Sequence, residues 1–315
     1  MPVHYADRLA EAGRRCGAPA VVGIDPVLER LPAALQPDEP TLAGAASALE
    51  TFGHEVLGAV AGIVPAVKIN SAFFEVLHEA GVGAYYRLIA AAHEHGLLVI
   101  GDVKRGDIGS TARLYARGHL ATPRFTDAGD ERMPDAVTVA GYLGESAVRA
   151  FAEAAREAGR GLYVLVRPSD PGADVIHEFC PDRRLYEHMA DLVHRWGSAA
   201  NLIGECGLSC VGAVVAPKDP ASTAALRARL PHTPWLVPGY GAQGAGAESC
   251  RPCFRADGGG AVVNASRSVI YAYEQVSYQQ RCGDDWVACI RAAAQDFAAD
   301  IAPLGPTAGA AATTG

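Results

Sequence analysis

LLVIGDVKRGDIGST (97–111) divides into two parts of opposite character. LLVIGD (97–102) is apolar up to its closing carboxylate, whereas VKRGDIGST (103–111) is rich in charge, glycine and hydroxyl. Near-continuous apolarity over so few residues suits a strand buried on both faces of a parallel sheet. Seven other segments have the same form: AVVGID (20–25), VPAVKI (64–69), DAVTVA (135–140), LYVLVR (162–167), VGAVVA (211–216), PWLVPG (234–239) and AVVNAS (261–266). Between them run helical patterns. Leu42, Ala45, Leu49, Phe52, Val56 and Val60 recur at steps of three and four within 41–60. Tyr85, Leu88, Ile89 and Ala92 do so within 82–95, and Gly96 then stands where a C-terminal cap belongs. Further helices are predicted over 145–158, 183–199 and 286–299. Eight strands alternating with helices predict an α/β fold: a single (β/α)8 barrel, the TIM-barrel architecture, with insertions in its loops. A doubly wound open sheet is the competing layout. Its dinucleotide-binding glycine fingerprint is missing, because Asp25-Pro26 comes after the first strand.

No linker separates two cores, so one domain is expected over 1–302. The polar stretch 121–134 reads as an insertion before the fourth strand, and 168–210 as a loop with at least one helix. PLGPTAGAAATTG, from 303, reads as a disordered tail (303–315). The chain holds 27 Lys and Arg against 35 Asp and Glu, a formal charge of −8. That balance lacks the broad positive field that nucleic acid or an anionic membrane rewards. The N-terminus has no signal-peptide apolar core, and no stretch approaches the ~18 apolar residues of a spanning helix. A cytoplasmic location is therefore expected. Cys206 with Cys210 and Cys250 with Cys253 invite a zinc reading, but only the second pair has the two-residue gap common in zinc sites. Free thiols and no metal are expected.

Barrel active sites form where the strands end. The residues there are Asp25, Lys68, Asp102 with Lys104, Ser169, Gly239 with Gly241, and Ser266 with Arg267. A lone lysine in a strand such as VPAVKIN is costly to bury unless it is paired or functional. Asp102 and Lys104 lie two apart, on one side of an extended backbone. Asp107 comes three later, and Thr111 one helical turn beyond that. Opposite charges on either side favour Lys104 as an oriented ammonium, able to give a proton to a carbanion, with negative charge set beside an anionic leaving group. The competing account is a structural ion-pair cluster with Asp107 at a helix start. The glycine turns PGYGAQGAG (238–246) and the segment NASRSVIYAY (264–273) offer backbone N–H groups and the Arg267 fork to a phosphate monoester.

Taken together, VVGIDP (21–26), KINSAFFE (68–75), DVKRGDIGST (102–111), GAVVA (212–216), PGYGAQG (238–244) and VVNASRSVIYA (262–272) resemble the orotidine 5′-phosphate decarboxylase family in its longer bacterial branch. The resemblance spans nearly all of the chain to about residue 300. It implies cofactor-free, metal-free decarboxylation of orotidine 5′-monophosphate to UMP, the last step of de novo UMP synthesis. Lys104 would protonate the C6 carbanion, while Asp102 would hold Lys104 and crowd the substrate carboxylate. Asp107 and Thr111 would reach the partner's site in a homodimer. Asp25 and Lys68 would contact the ribose hydroxyls, and Ser169 the base. Gln243 and Arg267 would grip the phosphate, assisted by the Gly239–Gly241 turn and by backbone around Ser266.

The chain departs from the family's usual pattern at Ala140-Gly141, Pro168, Asp170 and Pro217-Lys218, all on the base-side loops. The same residues leave room for two rival functions. A metal-dependent lyase or decarboxylase of keto-sugar phosphates needs a carboxylate where this chain has Lys68, a cation that would repel Mg²⁺. A non-catalytic nucleotide binder would keep the phosphate grip and lose the Lys/Asp array.

Overall fold

The computed structural model describes residues 2–121, 129–180, 182, 184–241 and 246–306. Eight parallel strands close on themselves in chain order: β1 Ala20–Ile24, β2 Ala66–Asn70, β3 Leu98–Arg105, β4 Ala136–Val139, β5 Gly161–Arg167, β6 Val211–Val215, β7 Trp235–Val237 and β8 Ala261–Ala265. Each overlaps one of the eight apolar runs, β3 continuing past its run into the charged segment as far as Arg105, and β8 pairs with β1 to complete the (β/α)8 barrel. The helices Leu42–Val60, His78–Glu94, Glu145–Ala158, Leu185–Gly197 and Trp286–Ile301 occupy the predicted segments. Gly96, in the left-handed region at φ +71°, terminates the second of them.

Three described helices of ten or more residues lie outside the segments predicted from periodicity: Tyr5–Cys16, Gly109–Leu120 and Pro220–Arg229. The third begins at Pro220 behind Asp219, whose side chain accepts from Ser222 N–H, a start signal present in the sequence. In the stretch 168–210 the chain forms a 3-10 turn (Pro171–Ala173), a short helix (Asp174–His177), the long helix Leu185–Gly197 and a further 3-10 turn (Ala200–Leu202). Residues 122–128, half of the insertion 121–134, lie outside the described residues. Its end is tied down where buried Arg160 donates to Asp130 Oδ1 at 2.7 Å. Residues 303 and 304, assigned to the tail from composition, belong instead to the 3-10 turn Ala302–Leu304, which buries Leu304.

Two apolar layers hold the barrel. The larger fills the space between strands and helices; the smaller, with Val21, Ala66, Ile100, Ala136, Tyr163, Leu236 and Val262, fills the barrel's interior. The helix Tyr5–Cys16 closes the bottom, where Tyr5 meets Tyr163 edge-on at 6.1 Å and their hydroxyls lie 3.0 Å apart. At the same end Asp135 accepts from Val99 N–H (2.8 Å) and pairs with Arg8 and His93. Polar groups buried this deeply stabilise a fold only when paired, as these are. The strands alternate inward and outward with period two, so the inward layer above Val21, Ala66, Ile100, Ala136 and Val262 consists of Gly23, Lys68, Asp102, Thr138 and Asn264. Four of those five are polar. The interior therefore changes from oil to charge within one layer of side chains, at the end where the strands finish.

Candidate active site

Asp102 is the centre of that polar layer. It is buried on β3, and accepts from Lys68 Nζ at 2.9 Å, Lys104 Nζ at 2.7 Å and Thr138 Oγ1 at 2.8 Å. Lys68, rising from β2 and almost entirely buried, also lies 3.5 Å from Asp25 Oδ1. The four charges form a continuous chain, Asp25–Lys68–Asp102–Lys104, with opposite signs adjacent throughout. Burial pushes the Asp102 carboxyl upward, but the two lysines outweigh it and hold it down at about 2. Burial likewise works against the Lys68 ammonium, and Asp25 and Asp102 more than reverse it, so its pKa lies above the ordinary lysine value. Asp102 is therefore a carboxylate, and Lys68 an ammonium, at neutral pH.

Lys104 meets Asp102 by a different backbone route from the extended one expected. The β3–β4 register shifts between Gly101 and Arg105, a bulge, and Lys104 sits at φ +44°. A non-glycine residue there costs on the order of 1–3 kcal/mol and persists only where neighbours fix it. The fixing contact is Lys104 N–H donating to Thr138 Oγ1 at 2.9 Å. Thr138 thus bonds both the lysine backbone and the carboxylate. Sequence reasoning misses it, although it is the one hydroxyl within DAVTVA and falls two residues after Ala136, on the inward face. The Lys104 side chain is half exposed, so its ammonium reaches from the buried pair toward the open mouth of the barrel.

The other predicted residues fall into three groups. Gly239 and Gly241 have φ of +98° and +73°, conformations that favour glycine, and their turn lies against two loops. A Cβ on Gly239 would come within 3.9 Å of Ser169, and one on Gly241 within 2.9 Å of Ser268 Oγ. Ser266 packs so closely over Gly23 that a Cβ there would lie 1.9 Å from its hydroxyl oxygen. Arg267 is exposed on the same rim and forms no ion pair among the described residues. Gln243 lies outside the described residues. Asp107 and Thr111 stand apart from the charged chain. Asp107 accepts from Ile108 N–H at 2.7 Å and Thr111 is exposed on the helix Gly109–Leu120.

Beside the loops after β5 and β6, Arg167 ends β5 buried. It donates to Ser222 Oγ at 2.9 Å, stands 4.4 Å from the Tyr186 ring centroid and lies 3.4 Å from Glu178. Lys218, one of the departures from the family pattern, pairs with Asp174 and so ties the loop after β5 to the loop after β6. Asp170 is exposed. Among the described residues no three His, Cys, Asp or Glu side chains converge to hold a metal ion. The cysteines, including Cys206, Cys210, Cys250 and Cys253, are free thiols. No helix of the described residues is long and apolar enough to cross a membrane.

Comparison with known proteins gives a consistent result. The model of the orotidine 5′-phosphate decarboxylase / HUMPS family matches residues 45–281. The orotidine 5′-phosphate decarboxylase of Rhodopirellula baltica is 38% identical over 92% of this chain and 96% of its own length. That of Caldicellulosiruptor bescii is 33% identical over 86% of this chain and 91% of its own. The solved structure of Leishmania donovani OMP decarboxylase superposes with a TM-score of 0.70 at 27% identity, covering 96% of this chain and 98% of that one.

Proposed function

This chain belongs to the orotidine 5′-phosphate decarboxylase family, and from that membership we propose that it decarboxylates orotidine 5′-monophosphate to UMP at the Lys68–Asp102–Lys104 array. It is a carboxy-lyase of pyrimidine biosynthesis. The observation that carries the residue assignment is the buried carboxylate held between two lysines, one of which extends to the barrel mouth.

In this reading the substrate carboxylate at C6 is brought against ionised Asp102, a repulsion relieved when CO₂ departs. The electron pair of the broken C6–C bond stays on C6, where the Lys104 ammonium stabilises it and then transfers its proton. Solvent returns a proton to Lys104. Only interactions stronger at the transition state than with bound substrate accelerate the step, and both effects grow as CO₂ leaves. All the charge required comes from side chains, so no cofactor and no metal are proposed. Arg267, Gln243 and the Gly239–Gly241 turn hold the phosphate, Asp25 and Lys68 the ribose hydroxyls, and Ser169 the base.

The test is release of CO₂ from orotidine 5′-monophosphate by purified protein in excess EDTA, with equimolar UMP as product. Turnover that needs added Mg²⁺ would transfer the chain to metal-dependent chemistry. Tight UMP binding with no turnover would make it a binder.

We further propose a cytoplasmic homodimer in which Asp107 and Thr111 complete the partner's site. Ile108, Leu114 and Tyr115, just after Asp107 and on the helix Gly109–Leu120, are exposed large apolar side chains of the kind a subunit contact would cover. Mixing Lys104→Ala with Asp107→Ala protein is expected to restore turnover, because each heterodimer then holds one site with both residues intact. Equal inactivity of the mixture, with heterodimers demonstrated by subunit exchange, would sink the shared-site arrangement.

A further inference from the structure

Tyr271 closes the short helix Arg267–Ile270 on the phosphate side of the rim, its N–H bonding to Arg267 C=O at 3.3 Å. Its hydroxyl, however, is used on the opposite side of the β1–β8 seam. It accepts from Val27 N–H at 2.7 Å and donates to Asp25 C=O at 3.1 Å. These two bonds bracket Pro26, so one phenolic oxygen fixes the backbone on both sides of the turn that carries the Asp25 carboxylate. The ring is itself held firmly. It is buried, stacks on Phe52 at 6.2 Å and 17°, and has the Arg30 guanidinium 3.6 Å from its centroid. Arg30 is in turn gripped by both oxygens of Glu274, while Tyr273 donates to Arg30 C=O at 2.6 Å.

What this bracket positions is an incompletely satisfied acid. Asp25 Oδ1 is buried and accepts no hydrogen bond from any described residue; its nearest cation, Lys68 Nζ, is 3.5 Å away. A buried carboxylate oxygen left open in a site has its remaining acceptor capacity available to a donor on the ligand. A displacement of the 25–27 turn by about an ångström would misplace that oxygen and alter the Asp25–Lys68–Asp102–Lys104 chain at its first member.

We propose that Tyr271 is a positioning residue that sets Asp25 for the ribose and links the segment carrying Arg267 to the charged chain. The inference rests on the reading of Asp25 as a ribose contact. It assigns a function to a side chain that touches neither substrate nor the reacting atoms.

The probe is Tyr271→Phe, which keeps the ring and its stacking and removes only the hydroxyl. Wild-type protein is expected to bind UMP more tightly than its 2′-deoxy or 3′-deoxy analogue. Tyr271→Phe is expected to reduce that preference about tenfold, the scale of one or two lost hydrogen bonds. In an Asp25→Ala background the same substitution should change it little, because the effect passes through Asp25. Tyr273→Phe, which removes a neighbouring hydroxyl's bond to Arg30 C=O and leaves both Tyr271 bonds in place, should keep the preference, and an equal loss there would overturn the inference. A wild-type protein with no preference would overturn the Asp25 reading and this inference with it. A preference unchanged in Tyr271→Phe, or a loss equally large in the Asp25→Ala background, would overturn the inference alone.

Discussion

Lys104→Ala is expected to lower kcat on orotidine 5′-monophosphate by at least roughly 10²–10⁴-fold, the range attributed to a positioned proton donor, while UMP still binds. The substitution removes the ammonium that reaches the barrel mouth and leaves the layer beneath it standing. Asp102 keeps Lys68 at 2.9 Å and Thr138 at 2.8 Å, so its charge remains paired and the bulge retains its Thr138 bond to the residue-104 N–H. The loss should therefore fall on the chemical step. Steady-state CO₂ release together with equilibrium UMP binding separates the two. Near-normal turnover would remove Lys104 as proton donor; loss of UMP binding in step with turnover would show that the residue holds substrate instead.

Asp102→Asn should damage both activity and fold, for one electrostatic reason. The substitution keeps the shape but leaves Lys68 buried with only Asp25, at 3.5 Å, as a charged partner, and sets it against Lys104 with nothing negative between them. Breaking a buried pair from one side costs about 3–5 kcal/mol, because the abandoned charge stays desolvated. The pH dependence carries a separate signature. The native Asp102 carboxyl lies at about 2, below its ordinary value of 3.8, despite burial that works in the other direction. A carboxyl depressed in the folded state contributes stability above its unfolded pKa and loses that contribution as pH falls through the folded one. Its share, about 2 kcal/mol, should be fully present above pH about 4 and vanish as pH falls to about 2. Denaturant unfolding of wild-type and Asp102→Asn protein across that interval should show a gap that narrows as the acid titrates. A constant gap would mean that Asp102 gains nothing from its lysines. Activity should fall as far as for Lys104→Ala, since the leaving carboxylate then meets a neutral amide.

The barrel is legible in the sequence because its signals are local. Each strand is a short apolar run and each main helix a three–four repeat, and both patterns can be counted without knowing what packs on what. Lys68 is legible for a related reason: a cation in the middle of VPAVKIN has no cheap place to go. The helix Gly109–Leu120 is harder to see because its apolar stripe is weak, with Leu114 and Tyr115 facing outward. Thr138 escapes notice because a threonine in a strand is ordinary by composition. Only its position, between the Asp102 carboxylate and the Lys104 N–H, gives it a role. Tyr271 lies inside a family motif and still gives no sign that its hydroxyl serves Asp25, which is 246 residues away in the chain.

By itself, then, the sequence determined the strand count, the chemical identity of the rim and the family resemblance, because periodicity and residue type are properties of the chain. Tertiary structure alone decided how those residues meet. Asp25, Lys68, Asp102 and Lys104 come from three strands and become a single alternating line of charge only when the barrel closes and the β3 bulge turns Lys104 to φ +44°. The physical reason is that the apolar pattern of a strand or helix is set by its own periodicity and can be read locally. The direction of a charged side chain, by contrast, is fixed by partners that the fold brings from elsewhere.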